Sequence, residues 1–85
     1  MNFGDALNWL KEGKLVAREG WNGKGWNGKG LWLALQVPDA HSKMTLPYIY
    51  LNYPVDAINT PGARVPWLAS QTDVLAEDWI LVDER

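Results

Sequence analysis

Residues 3–11 carry apolar side chains at every third or fourth position, the spacing of one helix face. The members of this stripe are Phe3, Ala6, Leu7 and Leu10. Asn2 is placed to cap the helix, with Asp5 three residues later to complete a capping box. Gly13 is the expected stop of the helix. Trp9 lies about 110° from the centre of the stripe, so we expect it at an edge or an interface of the domain.

Five short segments rich in branched or aromatic residues predict β-strands. They span residues 14–19, 31–36, 48–53, 63–68 and 79–82. Pro66 cannot donate a backbone hydrogen bond, which predicts an edge position for the fourth strand. Ser70, with Asp73 three residues later, predicts a short helix over residues 71–76. The expected fold is therefore α+β, a small antiparallel sheet with an N-terminal helix and a short C-terminal helix.

Both faces of the predicted strands are largely apolar or aromatic, whereas a solvated sheet face normally carries polar residues. In residues 31–36, for example, Leu33 and Leu35 point to one side while Trp32 and Ala34 point to the other. One short helix can cover only part of one face. We therefore expect a homo-oligomer with aromatic residues at its seams.

Composition and charge narrow the class of protein. With 85 residues, the chain is expected to form one domain over residues 1–85, with a small core. The absence of cysteine and a single histidine exclude disulfides and a Cys/His metal site. A net charge of -2 without a Lys/Arg stripe argues against a nucleic-acid polymer as partner. No apolar run approaches the ~20 residues that span a bilayer, and we expect a cytoplasmic protein without a membrane partner.

A direct repeat of Trp-Asn-Gly-Lys-Gly occupies residues 21–25 and again residues 26–30. Two Asn-Gly turn signals in succession predict a long loop. The glycines also match the dinucleotide-binding string GxGxxG and most of the phosphate-binding string GxxxxGK. Both motifs need a helix after the loop, whereas a strand is predicted here, so we interpret both as by-products of the duplication.

Candidates for catalysis are few. His41 lies in a polar loop and is expected to be a solvated surface residue rather than a base. Glu77 and Asp78 are adjacent, so on regular structure their side chains diverge and do not form an acid–base pair. Asp73 is better explained as the partner of a helix cap. We therefore expect a binding protein rather than an enzyme, with no cofactor.

The remaining polar and aromatic residues favour a nucleotide-like small molecule as ligand. Flat surfaces for a base or sugar come from Trp21, Trp26, Trp32 and Trp67. Neutral hydrogen-bonding groups come from Asn22, Asn27, Ser70, Gln71 and Thr72, and cations from Lys24, Lys29 and Arg64. An ordinary core or interface role explains Trp32 and Trp79 better. For Trp21 and Trp26, in the glycine-rich loop, both roles stay open.

Several stretches of the chain resemble the second Thoeris anti-defence family, whose members are small phage and prophage proteins. The clearest are residues 16–25 (VAREGWNGKG), 43–50 (KMTLPYIY), 65–73 (VPWLASQTD) and 75–79 (LAEDW). The resemblance covers nearly the whole chain, and the last two stretches are its most specific part.

This resemblance implies a ligand, a mode of action and an assembly. Members of the family sequester the cyclic ADP-ribose isomer that bacterial TIR-domain proteins make upon infection. They hold it without cleaving it, so the defence effector is never activated. They assemble as homotetramers with ligand pockets at subunit junctions, and some also bind cyclic dinucleotides. The protein would then act in the cytoplasm of the infected bacterium.

The resemblance also implies site residues wherever this chain matches the shared motifs. These are Trp21, Asn22, Gly23, Trp67, Ser70, Gln71, Thr72 and Asp73. Trp21 and Asn22 would stack on and hydrogen-bond the ligand, and Trp67 would form a wall of the pocket. The doubled Trp-Asn-Gly-Lys unit departs from the family pattern, which makes Trp26 an alternative functional copy.

Other functions remain open beside sequestration. An enzyme that degrades the same signal would need a base or a metal. A structural or protein-interaction module would use its tryptophans on a protein partner. A carbohydrate-binding module is disfavoured because no signal peptide is evident in the N-terminal residues.

Overall fold

The structure of the chain, a computed structural model, describes residues 1–22, 31–54 and 61–82. Its elements are α1 (Phe3–Lys11), β1 (Leu15–Arg18), a 3-10 helix (Glu19–Asn22), β2 (Trp32–Gln36), β3 (Tyr48–Asn52), β4 (Arg64–Pro66), α2 (Gln71–Val74) and β5 (Trp79–Val82). The strands form one antiparallel sheet in the order β4-β3-β2-β1-β5. The predicted α+β class, with a small antiparallel sheet and two helices, is confirmed.

Local signals determine both ends of α1. The Asn2 side chain accepts a hydrogen bond from Asp5 N–H at 2.9 Å, and the Asp5 carboxylate accepts one from Asn2 N–H at 3.2 Å. This is the predicted capping box, which satisfies two backbone donors at the helix start. Gly13 has φ +86°, a left-handed conformation that favours glycine, and it follows the last helical turn as predicted.

The hydrophobic core lies between α1 and one face of the sheet. Its fully buried members are Ala6, Leu10, Val16, Leu33 and Trp79. Leu33 is central because the sheet register pairs it with Val16 on one side and Leu51 on the other. Burying a leucine side chain contributes ~1.5–3 kcal/mol, so these contacts hold α1 on the sheet. Trp9 is partly buried and packs against the edge of this core, as its position on the helix predicts.

The opposite face of the sheet carries Trp32, Ala34 and Tyr50 near its centre and Ile80 on β5; we call these four residues the open face. The Trp32 and Tyr50 rings lie 6.0 Å apart at 63°. The Arg64 guanidinium lies 6.0 Å from each ring centroid. Both described helices pack on the other, core-facing side. On the open face Ile80 is 38% exposed, Trp32 and Tyr50 are partly buried, and Ala34 is buried. The predicted homo-oligomer therefore has a candidate interface here, although oligomerisation itself stays a prediction.

Several predicted strand ends differ from the structure by one or two residues, and the end of the first strand differs most in its consequences. The first strand, predicted over residues 14–19, ends at Arg18, and Glu19–Asn22 forms a 3-10 helix that the sequence did not predict. The chain turns there because Gly20 N–H donates a hydrogen bond to the Asp78 carboxylate at 3.1 Å. The signal for this turn is a contact with a distant residue, which a local pattern does not contain.

The C-terminal elements follow the local pattern more closely. β4 has only three residues and lies at the edge of the sheet, as Pro66 predicts. The helix predicted over residues 71–76 ends at Val74, with Leu75 as its C-cap. In the described part of the chain, no helix is long and apolar enough to cross a membrane.

Candidate ligand-binding site

Four aromatic side chains pack together at one end of the core, and we call them the aromatic cluster. They are Phe3, Trp21, Trp67 and Trp79. Trp79 is fully buried at the centre. The ring of Trp21 lies 5.5 Å from that of Trp79 at 77°, and the ring of Trp67 lies 6.1 Å from it at 85°. These edge-to-face arrangements are the favourable ones for aromatic pairs. Trp21 and Trp67 are only partly buried, so both indoles also reach the surface.

Each tryptophan of the cluster is positioned by a different element. Trp21 lies in the 3-10 helix that follows β1. Trp67 directly follows β4, and its backbone N–H donates to the Ile49 carbonyl at 3.0 Å. Trp79 begins β5 opposite Arg18, and its indole N–H donates to the Asp73 carbonyl at 3.0 Å. The site is therefore assembled from segments that are far apart in sequence.

The start of α2 lies beside the cluster and has its own capping box. Ser70 Oγ accepts from Asp73 N–H at 3.1 Å, and the Asp73 carboxylate accepts from Ser70 N–H at 3.2 Å. Ser70 Oγ also lies 2.8 Å from Thr72 Oγ1. Asp73 is therefore a cap partner, as the sequence predicts. Gln71 is exposed and its side chain makes no hydrogen bond to another described residue, which leaves its amide available to a ligand.

Arg18 joins the aromatic cluster's two flanking segments. Its Nη1 donates to Asp73 Oδ1 and its Nε donates to Asp78 Oδ1, both at 2.9 Å. Hydrogen bonds to Asp78 and then to Asp73 raise the pKa of the Arg18 guanidinium. The guanidinium is therefore a fixed positive charge, 23% exposed, within the site.

The two carboxylates bound to Arg18 are both held in the ionised form. Desolvation acts to raise the pKa of Asp73, but hydrogen bonds from Arg18 and from Ser70 outweigh it and lower that pKa. Desolvation also acts to raise the pKa of Asp78, but hydrogen bonds from Arg18 and from Gly20 N–H outweigh it and lower that pKa. Neither carboxylate is suited to accept a proton near neutral pH.

The structure brings together part of the predicted site. Trp21 and Trp67 both pack on Trp79, whose indole is bonded to Asp73, so the two tryptophans and α2 all contact the same buried side chain. Three predictions, Gly23, Trp26 and the side chain of Asn22, lie outside the described residues. Their roles stay predictions, as do ligand contacts by Ser70, Gln71, Thr72 and Asp73.

Arg18 and Asp78 were not predicted as members of the site. Arg18 is the last residue of β1 and is followed by the charged Glu19, so the local sequence carries no signal of its distant partners. Trp79, predicted as an ordinary core residue, is confirmed as one. Trp32 lies away from the cluster, on the open face.

The described residues offer little support for catalysis by His41 or for a metal site. His41 lies in an exposed loop that is closed by hydrogen bonds from His41 N–H and Ser42 Oγ to Asp39. In residues 1–22, 31–54 and 61–82, no group of three or more His, Cys, Asp or Glu side chains could hold a metal ion. A groove of about 190 Å³ lies on another part of the surface, lined by Tyr48, Tyr50 and Arg64 among others. Arg64, named from the sequence as a candidate cation, lines this groove, whereas Trp21, Trp67 and the residues of α2 do not.

Comparison with known proteins gives two matches that span almost the whole chain. The model of the family described as Tad2-like, Thoeris anti-defense 2-like domain, matches residues 1–82. The chain is also 43% identical over 89 residues to the protein Thoeris anti-defense 2 of Bacillus phage SP01. That alignment covers 96% of this chain and 94% of the phage protein. Both matches agree with the resemblance noted in the sequence motifs.

Proposed function

This chain belongs to the Thoeris anti-defense 2-like family, and on that premise we propose that it is a phage anti-defence protein that sequesters a signalling nucleotide. The proposed ligand is a cyclic ADP-ribose-type molecule, glycocyclic ADP-ribose made by TIR proteins. The protein binds this ligand without cleaving it and thereby blocks Thoeris immunity in the cytoplasm of the infected bacterium.

The observation that carries this proposal is the meeting of two surface-reaching indoles with the start of α2. Trp21 and Trp67 both pack on buried Trp79. The core therefore fixes the orientation of both indoles while part of each ring stays exposed. A base stacked on such an aromatic face gains ~1–3 kcal/mol. Gln71, exposed on α2, adds a neutral amide for ribose or base edges. An aromatic surface with a few polar groups is typical of a small-molecule site.

The ionised carboxylates of the site favour ligand binding over catalysis of a reaction on the ligand. A general base works best with a pKa near the operating pH. Here Asp73 and Asp78 both have lowered pKa values and both are bonded to Arg18. Both carboxylates are engaged in ion pairs with Arg18, and this supports a protein that binds its ligand without cleaving it.

We propose that the working form is a homo-oligomer, a tetramer, with the ligand at subunit junctions. The open face supports this, since Trp32, Tyr50 and Ile80 are incompletely buried in the single chain, and apolar surface of this kind is costly to leave in water. Trp32 and Tyr50, with Arg64 over both rings, form the kind of aromatic and arginine patch that anchors protein interfaces.

Two alternative functions use the same features. A cyclic dinucleotide could occupy the aromatic site in place of glycocyclic ADP-ribose, since both ligands offer bases and phosphates. The open face favours a second alternative, a tryptophan-rich module that binds another protein. Each alternative predicts a different response to substitution.

Calorimetric titration with glycocyclic ADP-ribose tests the proposal at residue level. Trp67→Ala removes one proposed wall of the site, and Trp9→Ala removes a tryptophan outside both the aromatic cluster and the open face as a matched control. We expect Trp67→Ala to abolish binding while far-ultraviolet circular dichroism shows a retained fold. Equal binding by wild type and Trp67→Ala would contradict the site, and a wild type that binds no nucleotide would favour the alternative of a protein-binding module.

A further inference from the structure

We propose that Arg18 is a positioning residue of the ligand site, which couples the 3-10 helix carrying Trp21 to the start of α2. This inference rests on the function proposed above and names a residue that acts on that same site without touching the ligand. The coupling runs through two carboxylates, one on each side of the guanidinium.

The geometry of this coupling is continuous from one segment to the other. Arg18 bonds Asp73 through Nη1 and Asp78 through Nε, each at 2.9 Å. The second oxygen of Asp73 accepts from Ser70 N–H at 3.2 Å, which fixes the first turn of α2. The second oxygen of Asp78 accepts from Gly20 N–H at 3.1 Å, which fixes the start of the 3-10 helix. The Arg18 side chain therefore fixes the position of the start of α2 relative to the 3-10 helix.

No hydrogen bond among the described residues joins residues 19–22 directly to residues 70–74. Glu19 N–H and Gly20 N–H both bond to Asp78, outside α2. The side-chain ion pairs that join the two segments in the described part of the chain thus run from Asp73 through Arg18 to Asp78. A second link runs through Trp79, whose indole N–H bonds to the Asp73 carbonyl and whose ring packs on Trp21.

Arginine suits this role because its planar fork can serve two carboxylates from different nitrogens at once. A lysine has the same charge but presents a single ammonium on a flexible stem. A site that is already ordered binds its ligand without the added cost of ordering its parts. Loss of the fork should therefore weaken binding while the stacking surfaces remain in place.

The first test measures affinity for glycocyclic ADP-ribose at a temperature where every variant is folded. We expect Arg18→Lys to bind about tenfold more weakly than wild type. Leu35→Ala is the control, since it loses partly buried side-chain contacts on β2, away from the coupled segments. It should match wild type in affinity despite lower stability. An Arg18→Lys affinity within about twofold of wild type would overturn the inference.

The second test needs no ligand and measures only the coupling between Arg18 and the start of α2. The Asp78 side chain makes no described hydrogen bond to α2, and of its two described partners, Arg18 and Gly20 N–H, it is Arg18 that bonds to Asp73 of α2. We expect amide hydrogen exchange at Ser70 and Asp73 to accelerate at least about threefold in Asp78→Asn. Unchanged exchange at these two amides would overturn the inference. Should wild type fail to bind the nucleotide, the proposed function fails, and this exchange result still decides the role of Arg18.

Discussion

The indole N–H of Trp79 donates a hydrogen bond to the backbone carbonyl of Asp73 at 3.0 Å, which links the centre of the core to the helix that borders the candidate site. Trp79 is fully buried, so its one polar group needs a partner inside the protein. The same residue packs against both Trp21 and Trp67. Core packing and site geometry are therefore joined at this side chain.

Replacing Trp79 with phenylalanine should destabilise the protein. The change removes the indole hydrogen bond, a loss of about 0.5–1.5 kcal/mol before any cavity is counted, while the Asp73 carbonyl keeps the backbone N–H of Ala76. Urea denaturation followed by circular dichroism measures the free energy of unfolding. Trp32→Phe, on the open face, is the matched control and should cost less. Equal stability of Trp79→Phe and wild type would contradict this role.

Stability should fall in acid through Asp73 and Asp78. Both have a folded-state pKa below the usual value near 3.9, so each contributes stability that is present above its unfolded-state pKa. That contribution is lost as the pH falls through the lowered folded-state pKa. Hence the free energy of unfolding should be level above about pH 5 and decrease below about pH 4.

Asp78→Asn provides the comparison for this pH dependence. The variant lacks one of the two carboxylates, so it should be less stable than wild type at neutral pH. The gap should narrow in acid, where protonated Asp78 no longer pairs with Arg18 as an anion. Denaturation curves at several pH values measure the gap. A gap that stays constant down to strong acid would exclude the ion pair as its source.

Alanine substitution at Ser70, the N-cap of α2, should lower stability, whereas the same change at Gln71, the first residue of α2, should lower ligand affinity. Ser70→Ala removes the helix cap and should cost ~0.5–2 kcal/mol of stability. Gln71→Ala removes an exposed amide without a described partner, so stability should be unchanged while affinity for glycocyclic ADP-ribose falls. Thermal melting and calorimetric titration separate the two effects. Unchanged affinity in Gln71→Ala would remove Gln71 from the site.

A charge on the open face should disrupt the proposed assembly. Ile80 is 38% exposed on β5, and Ile80→Glu would place a carboxylate in the proposed interface. Light scattering after size-exclusion chromatography should give wild type about four times the 9.6 kDa chain mass and the variant a smaller mass. Leu46→Glu, at a residue 75% exposed, is the control and should leave the assembly intact. A monomeric wild type would contradict the proposed tetramer.

Local chemistry explains which parts of the fold could be predicted. The cap at Asn2, the stop at Gly13 and the cap at Ser70 depend on residues within three positions of each other, and all three were predicted from the sequence. Strand positions followed from branched and aromatic runs. The order of the strands did not, because it depends on pairings such as β1 with β5 across most of the chain.

The candidate site was only partly predictable for the same reason. Arg18 bonds to residues that are 55 and 60 positions away, so no window of sequence shows that it has partners. Trp21 and Trp67 were named as candidate stacking surfaces from their aromatic chemistry, together with Trp26 and Trp32, and the family motifs then favoured Trp21 and Trp67. Their meeting on Trp79 is a property of the packed core.

Capture followed by release tests the central claim most directly. The protein is mixed with glycocyclic ADP-ribose and removed by filtration, and the free nucleotide is measured by mass spectrometry. The retained protein is then denatured by heat, and the released material is measured again. We predict that the nucleotide disappears with the protein and returns intact on denaturation. Return as fragments would show an enzyme, and a nucleotide that stays free throughout would contradict sequestration of this ligand.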